Sequence, residues 1–400
     1  MTRMIVSNTL KSGELDPAFG ADGKVEIPGG IGSVRSIITD GQSGFYTAVY
    51  RSGMCWIYHF FVDGAQDFQF GEGGVAKWSF STWPDSRPIH LALQPGGKIL
   101  LLGKAGNNQF EGNLALTRFN STGSPDLVFG TKISPFREDF SPSIAVQADG
   151  KILLLVDRFG QDGLPEQTLL QRLLPGGDPD PGFGDQGSIV IRFSDQVSRG
   201  RSLAVMDDGK ILVAGDARRE DSDPILTHAV GRYSSDGQLD QSFGKSGYWE
   251  TDGLNSTVAT IALDLSGIIC AGTAMGSAGH VIRVSKLTHD GRTDPMFNNG
   301  ESVFVEIPAD RPGYFVWCNE VAVDSNGRIL VGGYAGANTK AFWLRLLPDG
   351  SRDFDYRDQG VVVIDQLNNL YGLILSPNQE RVLVAVDARE SKPYVYGVLN

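Results

Sequence analysis

A chain of 400 residues with 51 glycines and a net charge of −12 is too glycine-rich for a helical protein and too acidic for a phosphate-backbone partner. The same charge disfavours an anionic membrane surface, and no apolar run approaches the length of a transmembrane span. Hydrophobic residues at 41% and charged residues at 20% are those of an ordinary soluble globular protein.

From the N-terminus, MTRMIVSNTLKSG lacks an apolar core of signal-peptide length. Cys55, Cys270 and Cys318 are odd in number and include no Cys-x-x-Cys pair, so no disulfide framework is implied. That points to a reducing, cytoplasmic setting, with export by a leaderless route as the alternative. The next segment, LDPAFGADGKVEI (15–27), reads as the end of a unit whose beginning lies elsewhere. Its marker, an Asp three residues before an aromatic, returns in PDPGFGDQG (179–187) and LDQSFGKSG (239–247). The full series is Asp16, Asp67, Asp126, Asp180, Asp240, Asp294 and Asp353, at intervals of 51 to 60 residues. The aromatics are Phe19, Phe70, Phe129, Phe183, Phe243, Phe297 and Tyr356. A period of that length over the whole chain defines a repeat architecture.

Within each unit the order is constant. A short apolar segment such as SLAV (202–205) precedes a turn: PGGK (95–98), ADGK (148–151), DDGK (207–210), SNGR (325–328). Asp-Gly and Asn-Gly there supply the positive φ angles of a tight hairpin. A second apolar run follows, as in KILVAG (210–215), and after a variable stretch an alternating run such as THAVGRYS (227–234). The marker and a fourth run, as in GVVVID (360–365), complete the unit. Runs of four to eight β-rich residues bounded by Gly, Asp, Asn and Pro are strands, and no stretch has helical periodicity. The chain therefore predicts an all-β fold, a seven-bladed β-propeller of four-stranded antiparallel blades, over 1–400 as a single domain. With strands named a (innermost) to d, the chain stops after the seventh c strand. Its missing d strand is 15–27, expected to pair beside 394–399 and close the ring.

Eight residues before each marker Asp stand His59, Arg118, Arg172, Arg232, Lys286 and Arg345, with Gly397 in the seventh unit. A ring of cations for an anion is one reading. The preferred one is a structural clamp across each c–d turn: Arg118–Asp126, Arg172–Asp180, Arg232–Asp240 and Arg345–Asp353, bidentate where geometry permits. The aromatics are expected to pack between blades. The glycine after each aromatic is replaced by Asn298 and Arg357, which predicts a rearranged turn in the sixth blade.

DDGKILVAG (207–215) and DGQLDQSFGKSG (236–247) resemble the delta-60 repeat β-propeller family, and the resemblance extends over essentially the whole chain. It implies the propeller fold and a mainly bacterial family largely without assigned biochemistry. It brings no catalytic residues to carry over. The first and seventh units depart from it most, since TDGQSGFYTAVY and SPNQERVLVAV lack the Lys-Ile-Leu core.

No metalloprotease, P-loop, nucleophile-elbow or dinucleotide-binding motif is present. The a–b and c–d turns repeat closely, so one face of the disc is regular, while the d–a and b–c loops on the other face vary. Function tends to reside on such loops. Where each a strand begins, two registers depart from small polar residues at Arg35, His90, Arg201, Glu320 and Tyr371. With Trp83 and Trp317 on d–a loops they form the candidate ligand or partner site, against a solvated channel mouth as the alternative. Asp216, Glu220, Asp221 and Asp223 in DARREDSDP offer oxygen ligands but lack the spacing and central glycine of a calcium loop. No cofactor is called for. The leading expectation is a monomeric, non-enzymatic scaffold that binds a protein or glycan through the variable face. The alternative is a lyase or lactonase type of enzyme with His90 and Glu320 as the acid/base pair. Separated pKa values at the mouth favour the enzyme, and a flat aromatic rim favours the binder.

Overall fold

The computed structural model describes residues 10–108, 111–135, 138–159, 165–193, 197–218, 226–251, 256–277, 279–308, 315–336, 340–365, 367–388 and 390–400. Seven four-stranded antiparallel sheets hold nearly all of their regular structure. Blade four is representative, with a at Val197–Val205, b at Ile211–Arg218, c at Leu226–Tyr233 and d at Tyr248–Glu250. The other a strands are Ser33–Thr39, Asp85–Gln94, Glu138–Val146, Thr257–Leu263, Val316–Val323 and Leu367–Leu375. Each touches the a strand of the next blade, and the seventh touches the first, so the sheets close around a central axis. In blade seven, Lys24–Glu26 lies outermost beside Pro393–Leu399, with Lys24 opposite Tyr396 and Glu26 opposite Tyr394.

The core is divided among the joints between blades. Seven apolar clusters occur among the described residues, each combining side chains of two adjacent blades. This explains why the second run of each unit is apolar without alternation. Ile211 and Val213 face blade three, whereas Leu212 and Ala214 face blade five, and all four are fully buried. A strand covered on both faces needs apolar residues at every position.

The a–b turns differ from the expectation in one respect. In DDGK only Gly209 has a positive φ, +82°, and Met206 N–H bonds to Lys210 O at 2.8 Å. The turn is thus a longer one with a single left-handed residue, and the aspartate stays in ordinary backbone space. At the marker, Gly244 has φ +52° and its N–H reaches Asp290 O of the next blade at 2.7 Å. Asn298 takes the same left-handed conformation in blade five, at φ 45°. In blade six the positive φ moves from Arg357 to Asp358 and Gln359, in a short 3-10 turn at Arg357–Gly360. The Arg357 N–H bonds to Ser12 O at 3.1 Å, so the N-terminal segment stands where the other blades present their own c–d turn.

The basic residue and the marker Asp meet across each of these turns. Nε donates to Oδ2 at 3.0 Å in Arg118–Asp126, 2.9 Å in Arg172–Asp180, 2.9 Å in Arg232–Asp240 and 2.8 Å in Arg345–Asp353. The arginine engages Oδ2 alone, because Oδ1 accepts the backbone N–H two residues on, from Val128, Gly182, Ser242 and Asp355, while Nη1 reaches the next blade. Arg118 Nη1 donates to Pro175 O at 2.7 Å, Arg232 Nη1 to His289 O at 2.5 Å, and Arg172 Nη1 to Ser235 O. Each guanidinium also lies over its own marker ring, 4.2 to 4.8 Å from the centroid. In blade seven, where Gly397 has no side chain to offer, Arg381 from strand b takes Asp16 at 2.5 Å. Asp240→Ala is expected to cost about 1–3 kcal/mol, since Arg232 is left buried and under-paired. A shifted urea midpoint at unchanged slope is the readout, and an unshifted midpoint would reopen the anion-ring reading.

Candidate functional site

One local distortion builds the channel mouth. In six blades the a–b register slips by one residue at Arg35, Ile89, Arg201, Ala259, Asn319 and Tyr371. Blade three slips between Asp139 and Ser143. A β-bulge leaves an extra residue unpaired and re-aims its side chain, so the bulged residue and its successor can both serve one surface. Ile89 with His90, and Asn319 with Glu320, do so here.

The result is a concave cavity of about 520 Å³ on the axis. It brings together Arg35, His90, Arg201, Trp317, Glu320 and Tyr371, from blades one, two, four, six and seven. Trp83 does not line it. That indole is 40% exposed on the loop ahead of blade two. Three further charged or aromatic side chains line the cavity that the sequence reading did not include: Arg87, Lys104 and Tyr334. Lys104 and Tyr334 stand six residues after the residue that opens the b-strand hairpin, Lys98 and Arg328, and Asp157, Asp216 and Asp387 share that register. That recurring offset is the signal that would have found them.

The cations are braced from behind. Arg201 donates to Asp216 Oδ2 through Nε and Nη2, both at 2.9 Å, and the Asp216 side chain is 2% exposed. Asp216 is therefore a buried partner of the mouth rather than part of an exposed acidic loop. Glu220, Asp221 and Asp223 lie outside the described residues, among which no cluster of three metal-ligating side chains occurs. Arg87 Nε donates to Asp85 Oδ2 at 2.9 Å, and Tyr50 Oη donates to Asp85 Oδ1 at 2.6 Å. Arg35 lies 4.6 Å over the Tyr371 ring. Behind it, buried Asp387 accepts from Ser33 Oγ at 2.5 Å and Val34 N at 2.9 Å, and burial pushes its carboxyl up to about 6.

His90 and Glu320 are half-buried, but the ring of strands strips enough water to disfavour charge on both. Desolvation holds the His90 imidazole down at about 4, with partial relief from a hydrogen bond to the Pro142 backbone. Desolvation lifts the Glu320 carboxyl to about 8. Near neutral pH both are largely uncharged, while the arginines around them remain cationic.

Fold and mouth together define a seven-bladed β-propeller with a cation-lined axial cavity. A family model described as a domain of unknown function (DUF5122) beta-propeller matches residues 207–243 and 325–353, the hairpin-to-marker segments of blades four and six. That supports a propeller repeat family of unknown function. No match is found among the curated proteins. Among solved structures, a polysaccharide lyase, an ulvan lyase bound to -[GlcA(1-4)Rha3S]-, is 12% identical with a TM-score of 0.52, covering 98% of this chain and 96% of that one. Sqt1 of Chaetomium thermophilum is 11% identical with a TM-score of 0.48, covering 97% and 98%. A catalytically inactive virginiamycin B lyase from Staphylococcus aureus is 11% identical with a TM-score of 0.45, covering 94% and 98%. At such identities the likeness is one of fold alone. No helix among the described residues is long and apolar enough to cross a membrane.

Proposed function

We propose that this propeller is a binding protein that takes a glycan at the mouth of its central channel. The observation that carries the reading is the cavity itself, which sets Trp317, Tyr334 and Tyr371 beside polar and cationic side chains contributed by several blades. A concave site with a few convergent polar groups suits a small ligand, whereas a large protein partner calls for a flatter rim. Aromatic bodies with polar tips fit a ligand that is apolar on its faces and wet at its edges. Trp317, 46% exposed, is the aromatic best placed to meet it.

An enzymatic reading is favoured by one observation, the separation of His90 near 4 from Glu320 near 8. In that reading Glu320 gives a proton and His90 takes one. Trp317→Ala is expected to abolish retention of the chain by a glycan array while changing stability by no more than about 0.5 kcal/mol. Glycan retention unaffected by Trp317→Ala would remove the channel-mouth reading. Turnover of a retained glycan, lost in His90→Ala and Glu320→Gln, would replace binding by catalysis.

A further inference from the structure

We propose that the ligand is an acidic saccharide whose anionic group sits against Arg35, within the positive field of Arg87, Lys104 and Arg201. This rests on the glycan-binding reading above and narrows it to one charge class. The chain carries a net charge of −12, yet the lining of this cavity includes four cationic side chains and a single carboxyl, Glu320. A cleft of one sign with low-dielectric walls concentrates field lines and draws in the opposite charge. Here the sign opposes that of the whole molecule, so general surface charge does not account for it.

The cations are not equivalent. Arg87 and Arg201 are held by Asp85 and Asp216, which fix their positions and neutralise part of their charge. Arg35 makes no hydrogen bond or salt bridge among the described residues; the Asp387 carboxyl behind it acts through space, and the guanidinium face is occupied by Tyr371. Stacking on a ring leaves the N–H edge of a guanidinium available, and that edge matches the oxygen pair of a carboxylate or sulfate. A sugar ring bearing such a group could then lie across the aromatic side of the mouth toward Trp317. Glu320, desolvated and protonated near neutral pH, donates a hydrogen bond to such a ligand instead of repelling it.

That last feature gives a pH signature with a definite sign. Between pH 7 and 9.5 Glu320 loses its proton, its charge opposes the anion, and affinity falls. A guanidinium does not lose its proton in a protein, so the change is not one of the arginines. His90, held near 4, stays neutral, and Asp387, near 6, is largely ionised throughout, while Asp216 and Asp85 remain the hydrogen-bond partners of Arg201 and Arg87. Burial and the neighbouring Tyr371 both move Tyr334 upward, away from this window.

The test is isothermal titration of the full chain with trigalacturonate, a sulfated carrageenan disaccharide, maltotriose and citrate. The expected result is binding of the uronate or the sulfated sugar, or both, with maltotriose at least about tenfold weaker. Which of the two binds identifies carboxylate or sulfate as the recognised group. Arg35→Gln should weaken that binding by about 10- to 100-fold at pH 7 with an unchanged melting temperature. Wild-type affinity should fall by about tenfold from pH 7 to 9.5, and Glu320→Gln should flatten that profile. Equal binding of maltotriose would overturn the charge class and leave glycan binding intact. Binding of citrate alone, dependent on Arg35, would overturn the saccharide and keep the anion site. Absence of binding by all four would overturn both readings.

Discussion

A chain lacking residues 1–27 is expected to lose the cooperative melt of the entire ring, not one strand. Phe19 and Ile27 are fully buried in the joint between blades seven and one, beside Phe45, Leu383 and Val395. Asp16 is the carboxylate for Arg381, and the Gly20 N–H bonds to Asp63 O at 2.8 Å. Upstream, Gly13 N–H bonds to Leu399 O at 2.8 Å, and Ser12 O accepts from blade six. The segment thus fastens three consecutive blades. Truncating one buried Phe to Ala costs about 3–5 kcal/mol, and a domain holds only about 5–15 kcal/mol in total. Phe19→Ala alone should therefore lower the melting temperature by many degrees. The truncation should also expose the backbone edge of Pro393–Leu399 to amide exchange. A truncated chain that melted like the full one would mean the N-terminal strand is not what closes the ring.

Arg201→Ala is expected to cost about 3–5 kcal/mol, the range for stripping one partner from a buried ion pair. Asp216 would be left with no cation on the oxygen that Arg201 now holds. Burial already raises its pKa, so in the variant its charged form would be disfavoured further. An acid whose folded pKa is raised destabilises the fold as pH climbs past its unfolded value of about 3.9. The deficit should accordingly be small near pH 4 and grow toward pH 8, as read by urea denaturation. Replacing both residues, Arg201→Met with Asp216→Leu, should restore most of the loss. A pH-independent deficit would show that Arg201 acts by packing alone. Loss of ligand binding in Arg201→Ala would mix folding with recognition, which is why Arg35 and Trp317 are the cleaner probes.

The fold was legible because its punctuation is chemical. The marker Asp, its aromatic and the following left-handed glycine each answer a constraint that few residue types meet. The pairing of Lys24–Glu26 beside the last blade followed from counting those markers. Much of the mouth was legible for a weaker reason, that charged or aromatic side chains interrupt a small polar register. The bulge itself left no such trace. Arg, Ile, Ala, Asn and Tyr all occupy it, because an unpaired residue on a pleated edge is chosen for where it points, not for its type. Trp83 was misplaced because a loop's path is not written in its composition. The second role of the clamp arginines was also hidden: for Arg118, Arg172 and Arg232 the acceptors in the next blade are backbone carbonyls, which every residue possesses.

Those carbonyl contacts give the ring a direction. Blades two, three, four and six reach forward to their successors through the clamp arginine, and blades one, four, five, six and seven do so through the turn N–H. The assembly is head-to-tail, as in a cyclic oligomer with heterologous interfaces, except that the protomers share one chain. All of these fastenings lie on the face of the short turns, whereas the cavity is made by the opposite ends of the strands. Change in the loops around the mouth is therefore insulated from the joints that keep the circle shut. Within this one chain the turn face repeats its residues from blade to blade, whereas the loop face does not.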